Sequence, residues 1–158
     1  MSPNSPHANT PGWKKSYHVL NRGDTGNFHI VNGADNTGDV TKVINFRYCI
    51  EHHAAAFDIV TADGGFDFTT DFNKQEVSAL RLIISEVFTA LAVQKRGGYL
   101  VLKIYDVFMK TTVEVIYMLC SMYESVFMCK PHMSRTANSE KYIVCKGLLR
   151  PPSDEMLA

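Results

Sequence analysis

The chain has 158 residues, of which 46% are hydrophobic and 20% are charged, and these values are ordinary for one globular domain. Its 16 basic and 16 acidic residues cancel, which excludes a global attraction to nucleic acid, so any RNA binding requires a local basic patch. No apolar run reaches membrane-spanning length, and the polar, Pro-rich start lacks the apolar core of a signal peptide.

Four cysteines form no CxxC pair and lie within apolar runs: Cys49, Cys120, Cys129 and Cys145. This pattern predicts reduced, buried thiols and an intracellular protein of the cytoplasm or nucleus. His52 and His53 are adjacent, and no Cys/His spacing resembles a zinc ligand set, so no metal is expected.

The start of the chain is polar and contains three prolines, so we expect a disordered lead over residues 1–16. A domain is expected over residues 17–149, with a short tail over residues 150–158. Two short strands are predicted near the start of this domain, over residues 17–20 and 28–31, followed by a turn cluster.

A helix is predicted over residues 42–53, because Val43, Phe46 and Ile50 recur at helical spacing. Either Asp39 or Thr41 is expected to cap its amino end.

A short apolar strand over residues 57–63, FDIVTAD, stops at Asp63 and two glycines. Ligands of open α/β sheets bind outside the carboxyl ends of parallel strands, so Asp63 is a candidate site residue. A plain turn capped by Asp63 explains the same pattern, and both interpretations are open at this point.

The longest helix is predicted over residues 74–94, with an apolar stripe of Val77, Leu80, Ile84, Val87, Phe88 and Leu91, and Arg96-Gly97-Gly98 is expected to end it. A strongly apolar strand follows over residues 99–105 and contains Lys103. A lysine in such a strand is part-buried and needs a carboxylate partner, for which Asp63 and Glu140 are the candidates. A single stabilising ion pair is the alternative interpretation.

The remaining elements are a helix over residues 111–123 and strands over residues 126–129 and 141–146. The helix is expected to bury Val115, Leu119 and Met122. Alternation of strand and helix predicts an α/β fold with a mostly parallel sheet. The last two strands are joined by a loop without a helix, so they are expected to pair antiparallel.

Three segments, FDIVTADGG, GGYLVLKIYD and SRTANSEKYIVCKG, together resemble the FtsJ-like ribose 2′-O-methyltransferases. They are most similar to the mRNA cap methyltransferases of eukaryotes and large DNA viruses, over roughly residues 36–149. The resemblance implies a Rossmann-like methyltransferase fold, S-adenosylmethionine as cofactor and capped mRNA as the favoured substrate. It leaves a viral origin open.

The family uses a Lys-Asp-Lys-Glu tetrad, and the resemblance assigns its last three members to Asp63, Lys103 and Glu140. It also implies that Asp39 and Val40, together with Asp63, contact the cofactor. Methyl transfer to a ribose hydroxyl is an in-line displacement in which the hydroxyl proton must be removed or polarised. Lys103, if neutral, is the candidate base.

Basic and polar residues of the loop before the last strand are candidate RNA contacts: Lys130, Arg135 and Asn138. Basic residues in loops are more often simply solvated, and that alternative is open. A 2′-hydroxyl is present in RNA and not in DNA, so the substrate implied by the resemblance is RNA.

The sequence departs from the family in two respects. The Gly-rich cofactor loop with the first, central strand has no clear counterpart, and neither Lys14 nor Lys15 matches the first tetrad lysine. With one lysine and two acids, Lys103 is expected to stay protonated. A truncated or degenerate module that binds RNA or a protein partner is therefore the alternative function, and a second chain is a candidate to complete the sheet.

Overall fold

The computed structural model describes residues 31–65, 75–132, 134 and 138–150. Three helices and four strands follow one another in these ranges: α1 (Val43–His53), β1 (Phe57–Ala62), α2 (Gln75–Val93), β2 (Gln94–Ile104), α3 (Lys110–Met122), β3 (Tyr123–Cys129) and β4 (Lys141–Leu148). The predicted strand over residues 17–20 lies outside the described residues, as does most of the one over residues 28–31. Within the described ranges, no helix is both long and apolar enough to span a membrane.

The four described strands form one sheet in the order β1-β2-β4-β3. β1 and β2 are parallel, whereas β4 is antiparallel to both of its neighbours. Three of the four strands therefore point in the same direction, and β4 alone runs against them. The predicted α/β class and the antiparallel last pair are confirmed, but the insertion of β4 between β2 and β3 was not predicted.

The core forms where α2 and α3 cover one face of this sheet. Side chains alternate across a strand, so every second residue of β2 and β4 points into the core. The residues buried there from the strands are Leu100, Leu102, Ile104, Ile143 and Cys145. This packing fixes the central pair of strands, and with it the strand ends that carry the predicted site.

The buried face of α2 differs from the predicted stripe. Val77 is 59% exposed, whereas Ala79, Ile83 and Ala90 are buried together with Val87. Two small alanines face the sheet because they allow the helix to approach closely, and apolar spacing alone does not reveal this.

Helix α2 ends at Val93, within one residue of the predicted end at residue 94, but it continues into β2 without a loop, so Arg96-Gly97-Gly98 is not the predicted helix stop. Pairing with β1 advances from Gln94 to Tyr99 while β1 advances only two residues, which makes residues 95–98 a bulge. Gly97 has φ +80°, and a Cβ on Gly98 would lie 2.8 Å from the carbonyl oxygen of Lys95. The glycines thus shape an irregular strand start and do not end the helix.

Helix α1 is present as predicted, but its cap and buried face are different. Lys42 occupies the N-cap position without a side-chain cap, and Val43 is 64% exposed. Its buried residue is Asn45, whose Nδ2 donates to Asp35 Oδ1 (2.9 Å) and to the Asp39 carbonyl oxygen (2.9 Å). Asn45 therefore fastens the preceding turn onto the helix.

Helix α3 is capped from a distant part of the chain. Glu76, at the start of α2, accepts the Phe108 N–H (3.1 Å) and the Met109 N–H (2.8 Å) through its two carboxylate oxygens. Burial alone would raise the pKa of Glu76, but the hydrogen bonds outweigh it and the pKa is lowered. The segment between β2 and α3 is thereby held against α2.

The four cysteines are free, as predicted. Cys145 is buried in the sheet, but Cys120 and Cys129 are exposed, so the prediction of buried thiols is wrong for these two. Cys129 ends β3, which lies at one edge of the described sheet.

Candidate active site

Asp63 and Lys103 meet at the carboxyl ends of β1 and β2. Ala62 and Leu102 are register partners, so the next residue of each strand lies beside the other. Lys103 Nζ is 2.7 Å from Asp63 Oδ1, and it also donates to the Asp63 carbonyl oxygen at 3.2 Å. The lysine side chain is only 11% exposed, whereas that of Asp63 is 65% exposed. The predicted carboxylate partner of Lys103 is therefore Asp63, which offers a solvent-accessible carboxylate.

Glu140 and Tyr142 reach the same place from β4. Tyr142 pairs with Lys103 across the sheet, and its hydroxyl donates to Asp63 Oδ1 at 3.4 Å. Glu140 lies two residues earlier and is close enough for its charge to raise the pKa of Lys103. The structure thus brings together all three predicted catalytic residues. Tyr142 was missed, although its spacing of two from Glu140 in a predicted strand was a usable signal.

Lys103 is a cation whose charge is stabilised. Burial lowers its pKa, but the hydrogen bond to Asp63, the Tyr105 side chain and the charges of Asp63 and Glu140 raise it, and the net shift is upward. Lys103 is therefore protonated at neutral pH, as the ratio of acids to lysine predicted. In this state it donates hydrogen bonds and does not accept a proton.

The chain after Asp63 passes close to this lysine. A Cβ on Gly65 would lie 3.5 Å from Lys103 Nζ and 3.7 Å from the Tyr105 hydroxyl. The Tyr105 side chain is buried at the base of the site, and burial is the main cause that raises its pKa. Sequence reasoning did not single out Tyr105, because an aromatic residue at a strand end is equally typical of packing.

The predicted RNA contacts Lys130 and Asn138 bind each other. Lys130 Nζ donates to the Asn138 carbonyl oxygen (2.9 Å), to Asn138 Oδ1 (2.7 Å) and to the Glu140 carbonyl oxygen (2.8 Å). Ser134 Oγ donates to Glu140 Oε1 at 3.3 Å. These contacts hold the segment that presents Glu140. Arg135 lies outside the described residues.

Asp39 and Val40 lie in the turn before α1. Asp39 Oδ1 accepts the Thr41 N–H (2.9 Å) and the Thr41 hydroxyl (2.7 Å). Burial favours a raised pKa for Asp39, but these hydrogen bonds dominate and lower it. Thr41 and Asp39 thus bind each other, which explains why neither caps the helix.

Val40 lines a pocket of about 610 Å³ together with Cys49, Phe57 and Val93. Phe57 begins β1, and six residues of strand place it about 20 Å from Asp63. The pocket is thus at the opposite end of β1 from the Asp63–Lys103 pair, and a cofactor contact by Asp39 or Val40 stays a prediction.

A family model described as FtsJ-like methyltransferase matches residues 15–148. The chain belongs to the FtsJ-like methyltransferase family. Methyltransferases of this family use S-adenosylmethionine as methyl donor. The family assignment agrees with the resemblance of the three sequence segments, which lie inside the matched range.

Similar proteins include several named cap-specific mRNA (nucleoside-2′-O-)-methyltransferase 1. Those of Danio rerio, Leishmania braziliensis and Trypanosoma brucei brucei are each 38% identical, over 77%, 77% and 76% of this chain. The chain spans only 15%, 31% and 33% of their respective lengths.

Among solved structures, a ribosomal RNA methyltransferase from Plasmodium falciparum has a TM-score of 0.51 to this chain. The sequences are 20% identical over 77% of this chain and 63% of that structure. At this identity the likeness concerns the fold, and it confirms the expected methyltransferase architecture. The sequence also predicted that the first strand of that fold is missing. This prediction concerns residues outside the described ranges and stays a prediction.

The side of the candidate site that Asp63 forms fits a positively charged methyl donor. The Asp63 carboxylate is exposed and negative. A carboxylate of this kind attracts a sulfonium or an ammonium group. The exposed charge of Asp63 thus fits S-adenosylmethionine, and a contact between the two stays a prediction.

Proposed function

We propose that the chain is the catalytic part of an S-adenosylmethionine-dependent RNA 2′-O-methyltransferase that acts on the mRNA cap. The observation that carries the proposal is the Asp63–Lys103 ion pair, with Glu140 and Tyr142 beside it. The relatives named cap-specific methyltransferases support the choice of substrate. The proposed catalytic unit spans residues 17–149, preceded by a lead and followed by a tail.

The proposed mechanism assigns positioning and charge stabilisation to the chain. S-adenosylmethionine, when bound, supplies an electrophilic methyl group and a sulfonium charge. The Lys103 ammonium donates a hydrogen bond to the ribose 2′-oxygen and stabilises the negative charge that develops on it. Asp63 holds Lys103 in place. As the ribose oxygen bonds to the methyl carbon and the donor's carbon–sulfur bond breaks, the Glu140 carboxylate would accept the hydroxyl proton and pass it to solvent.

A second cation beside Lys103 would lower the pKa of this lysine, because like charges disfavour the protonated form. Lys103 could therefore replace Glu140 as the proton acceptor only where a second cation offsets the charges of Asp63 and Glu140, which raise its pKa.

Proposed RNA contacts are Lys130, Arg135 and Asn138, in the loop that precedes β4. Support for the described two comes from their position next to Glu140. Since mRNA caps are intracellular and the four cysteines are free, we place the protein inside the cell, in the cytoplasm or the nucleus.

A methyl-transfer assay tests the proposal. The chain is incubated with S-adenosylmethionine carrying a labelled methyl group and with capped RNA. The matched control substrate already carries a 2′-O-methyl group on the first transcribed nucleotide. We expect label in the first RNA and none in the second, and Lys103→Ala should abolish the difference.

Lys95→Ala is the matched protein control, because Lys95 forms an exposed ion pair with Asp58 (2.9 Å) at the other end of β1 and β2. It should retain full activity. Binding of RNA and S-adenosylmethionine without any methyl transfer would support the non-catalytic alternative. Equal label in wild type and Lys103→Ala would remove Lys103 from the mechanism.

A further inference from the structure

Glu86 is an acidic residue on the helix face that packs against the sheet. It belongs to α2, and its neighbours Leu82, Ile83 and Val87 are buried apolar residues of the core. Glu86 itself is half-buried, and a carboxylate that loses part of its hydration is costly unless it has hydrogen-bond partners. Burial is the main cause that raises the pKa of Glu86 above its ordinary value. The placement therefore requires a reason beyond packing.

The hydrogen-bond partner of Glu86 is the backbone of the candidate site. Glu86 Oε1 accepts the Gly64 N–H at 2.8 Å. A Cβ on Gly64 would overlap this same carboxylate oxygen and would lie 3.0 Å from Leu82 Cδ2. The backbone that follows Asp63 thus contacts the Glu86 carboxylate directly, and this short distance between Gly64 and Glu86 requires a glycine.

Glu86 also interacts electrostatically with the charged groups of the site. The Lys103 ammonium lowers the pKa of Glu86, and the Asp63 carboxylate raises it. The negative charge of Glu86 contributes to the raised pKa of Tyr105 as well. Glu86 therefore lies within the same charged cluster, although its hydrogen bond goes to the backbone and not to a reacting group.

We propose that Glu86 is a positioning residue of the methyl-transfer site, which holds the Gly64 N–H so that the Asp63 carboxylate faces Lys103. The role of Glu86 in methyl transfer rests on the proposed function, whereas its hydrogen bond with the Gly64 N–H does not. Its consequence is that the Asp63–Lys103 geometry depends on a residue of α2, outside the three resembling segments. Loss of the acceptor should loosen residues 63–65 and weaken the ion pair.

Two variants separate the hydrogen bond from the charge. Glu86→Gln retains an oxygen that can accept the Gly64 N–H but removes the negative charge. Glu86→Leu removes both and fills the apolar space with a side chain of similar size. The control is Glu114→Leu, because Glu114 is 59% exposed on α3 and pairs with Lys110.

The first measurement is the pKa of Lys103, read by NMR from its ¹³C-labelled side chain and assigned by comparison with Lys103→Arg. This measurement needs no turnover. We expect a lower pKa in Glu86→Leu than in Glu86→Gln, because a loosened Asp63 no longer stabilises the ammonium. Glu114→Leu should titrate like the wild type.

The second measurement is methyl transfer to capped RNA. Glu86→Leu should reduce kcat by about ten- to a hundredfold, because small displacements of reacting groups are costly. The KM for RNA should change by no more than about twofold, since the carboxylate lies beneath the glycine. Glu86→Gln should recover most of kcat. A role in stability alone would lower the melting temperature without this split between kcat and KM.

Equal Lys103 pKa values in folded Glu86→Leu and Glu86→Gln would overturn the proposal, and so would equal losses of kcat. If Glu86→Leu does not fold, the Gln variant decides: near-wild-type kcat and only a modest fall in the Lys103 pKa support the acceptor role. A loss of kcat above about tenfold in Glu86→Gln contradicts it. An inactive wild type would overturn the proposed function, while the NMR titration would still decide the role of Glu86.

Discussion

Asp63→Asn tests how much the central ion pair contributes to stability. The substitution keeps the shape of the side chain and removes its charge. Breaking a buried pair costs about 3–5 kcal/mol, but exposed pairs contribute about 0–1 kcal/mol. Lys103 is 11% exposed and Asp63 is 65% exposed, so water screens one partner. The Asp63 carbonyl oxygen, 3.2 Å from Lys103 Nζ, still accepts a hydrogen bond. We therefore expect a loss of about 1 kcal/mol in the free energy of unfolding.

The pH dependence of this loss has a definite sign. The pKa of Lys103 is raised from its ordinary 10.5 by Asp63 and its other neighbours, despite the opposing effect of burial. Stability from a group with a raised pKa is fully present below the unfolded pKa and is lost as the pH rises through the folded pKa. The difference between wild type and Asp63→Asn should thus be complete at about pH 8 and shrink above about pH 10.5.

Urea denaturation followed by circular dichroism measures the loss in the free energy of unfolding and its dependence on pH. For a chain of this length, about 1 kcal/mol corresponds to a fall of about 2–4 °C in melting temperature. Asp58→Asn is the control, because its pair with Lys95 is exposed at both ends and should contribute less than about 0.5 kcal/mol. Identical unfolding midpoints at pH 8, or a difference that persists undiminished in alkali, would refute the reasoning.

Glu76→Ala should cost about 1–3 kcal/mol, because the Phe108 and Met109 N–H groups lose their acceptor. The pKa of Glu76 is lowered, so this stability is present above its unfolded pKa and is lost as the pH falls through the folded pKa. Urea unfolding of wild type and Glu76→Ala at neutral and acidic pH measures the loss. A stability difference between the two proteins that stays constant with pH would contradict the prediction. Asn45→Ala should cost about 2 kcal/mol, because the buried amide holds the turn before α1; an unchanged urea midpoint would show that the turn is held otherwise. Phe108 is 88% exposed and follows the carboxyl end of β2, the end that carries Lys103, so it is a candidate for stacking on a base. Phe108→Ala should leave the melting temperature unchanged but weaken capped-RNA binding by about 1–3 kcal/mol per stacked base; equal affinities in fluorescence anisotropy would show that no base stacks there.

The amino-acid sequence was sufficient to place every described helix and strand to within five residues at each end, with the start of β2 the least accurate, because apolar periodicity and turn residues are local signals. It was also sufficient to select Asp63, Lys103 and Glu140. A lysine inside an apolar strand requires a carboxylate partner, and Asp63 and Glu140 were the candidate acids near the ends of predicted strands. The family resemblance of three segments then supplied the chemistry.

Other features depend on contacts between residues far apart in the chain, which local patterns do not encode. Strand order is one: β4 pairs between β2 and β3 because its apolar face completes the core there. Capping is another: α3 is capped by Glu76, some thirty residues earlier, whereas α1 has no side-chain cap because Asp39 binds Thr41. Glu86 belongs to the same group, since an acid on an apolar helix face has meaning only once Gly64 is known to lie above it. Tertiary packing brings these partners together, and local sequence patterns cannot reveal contacts between residues so far apart in the chain.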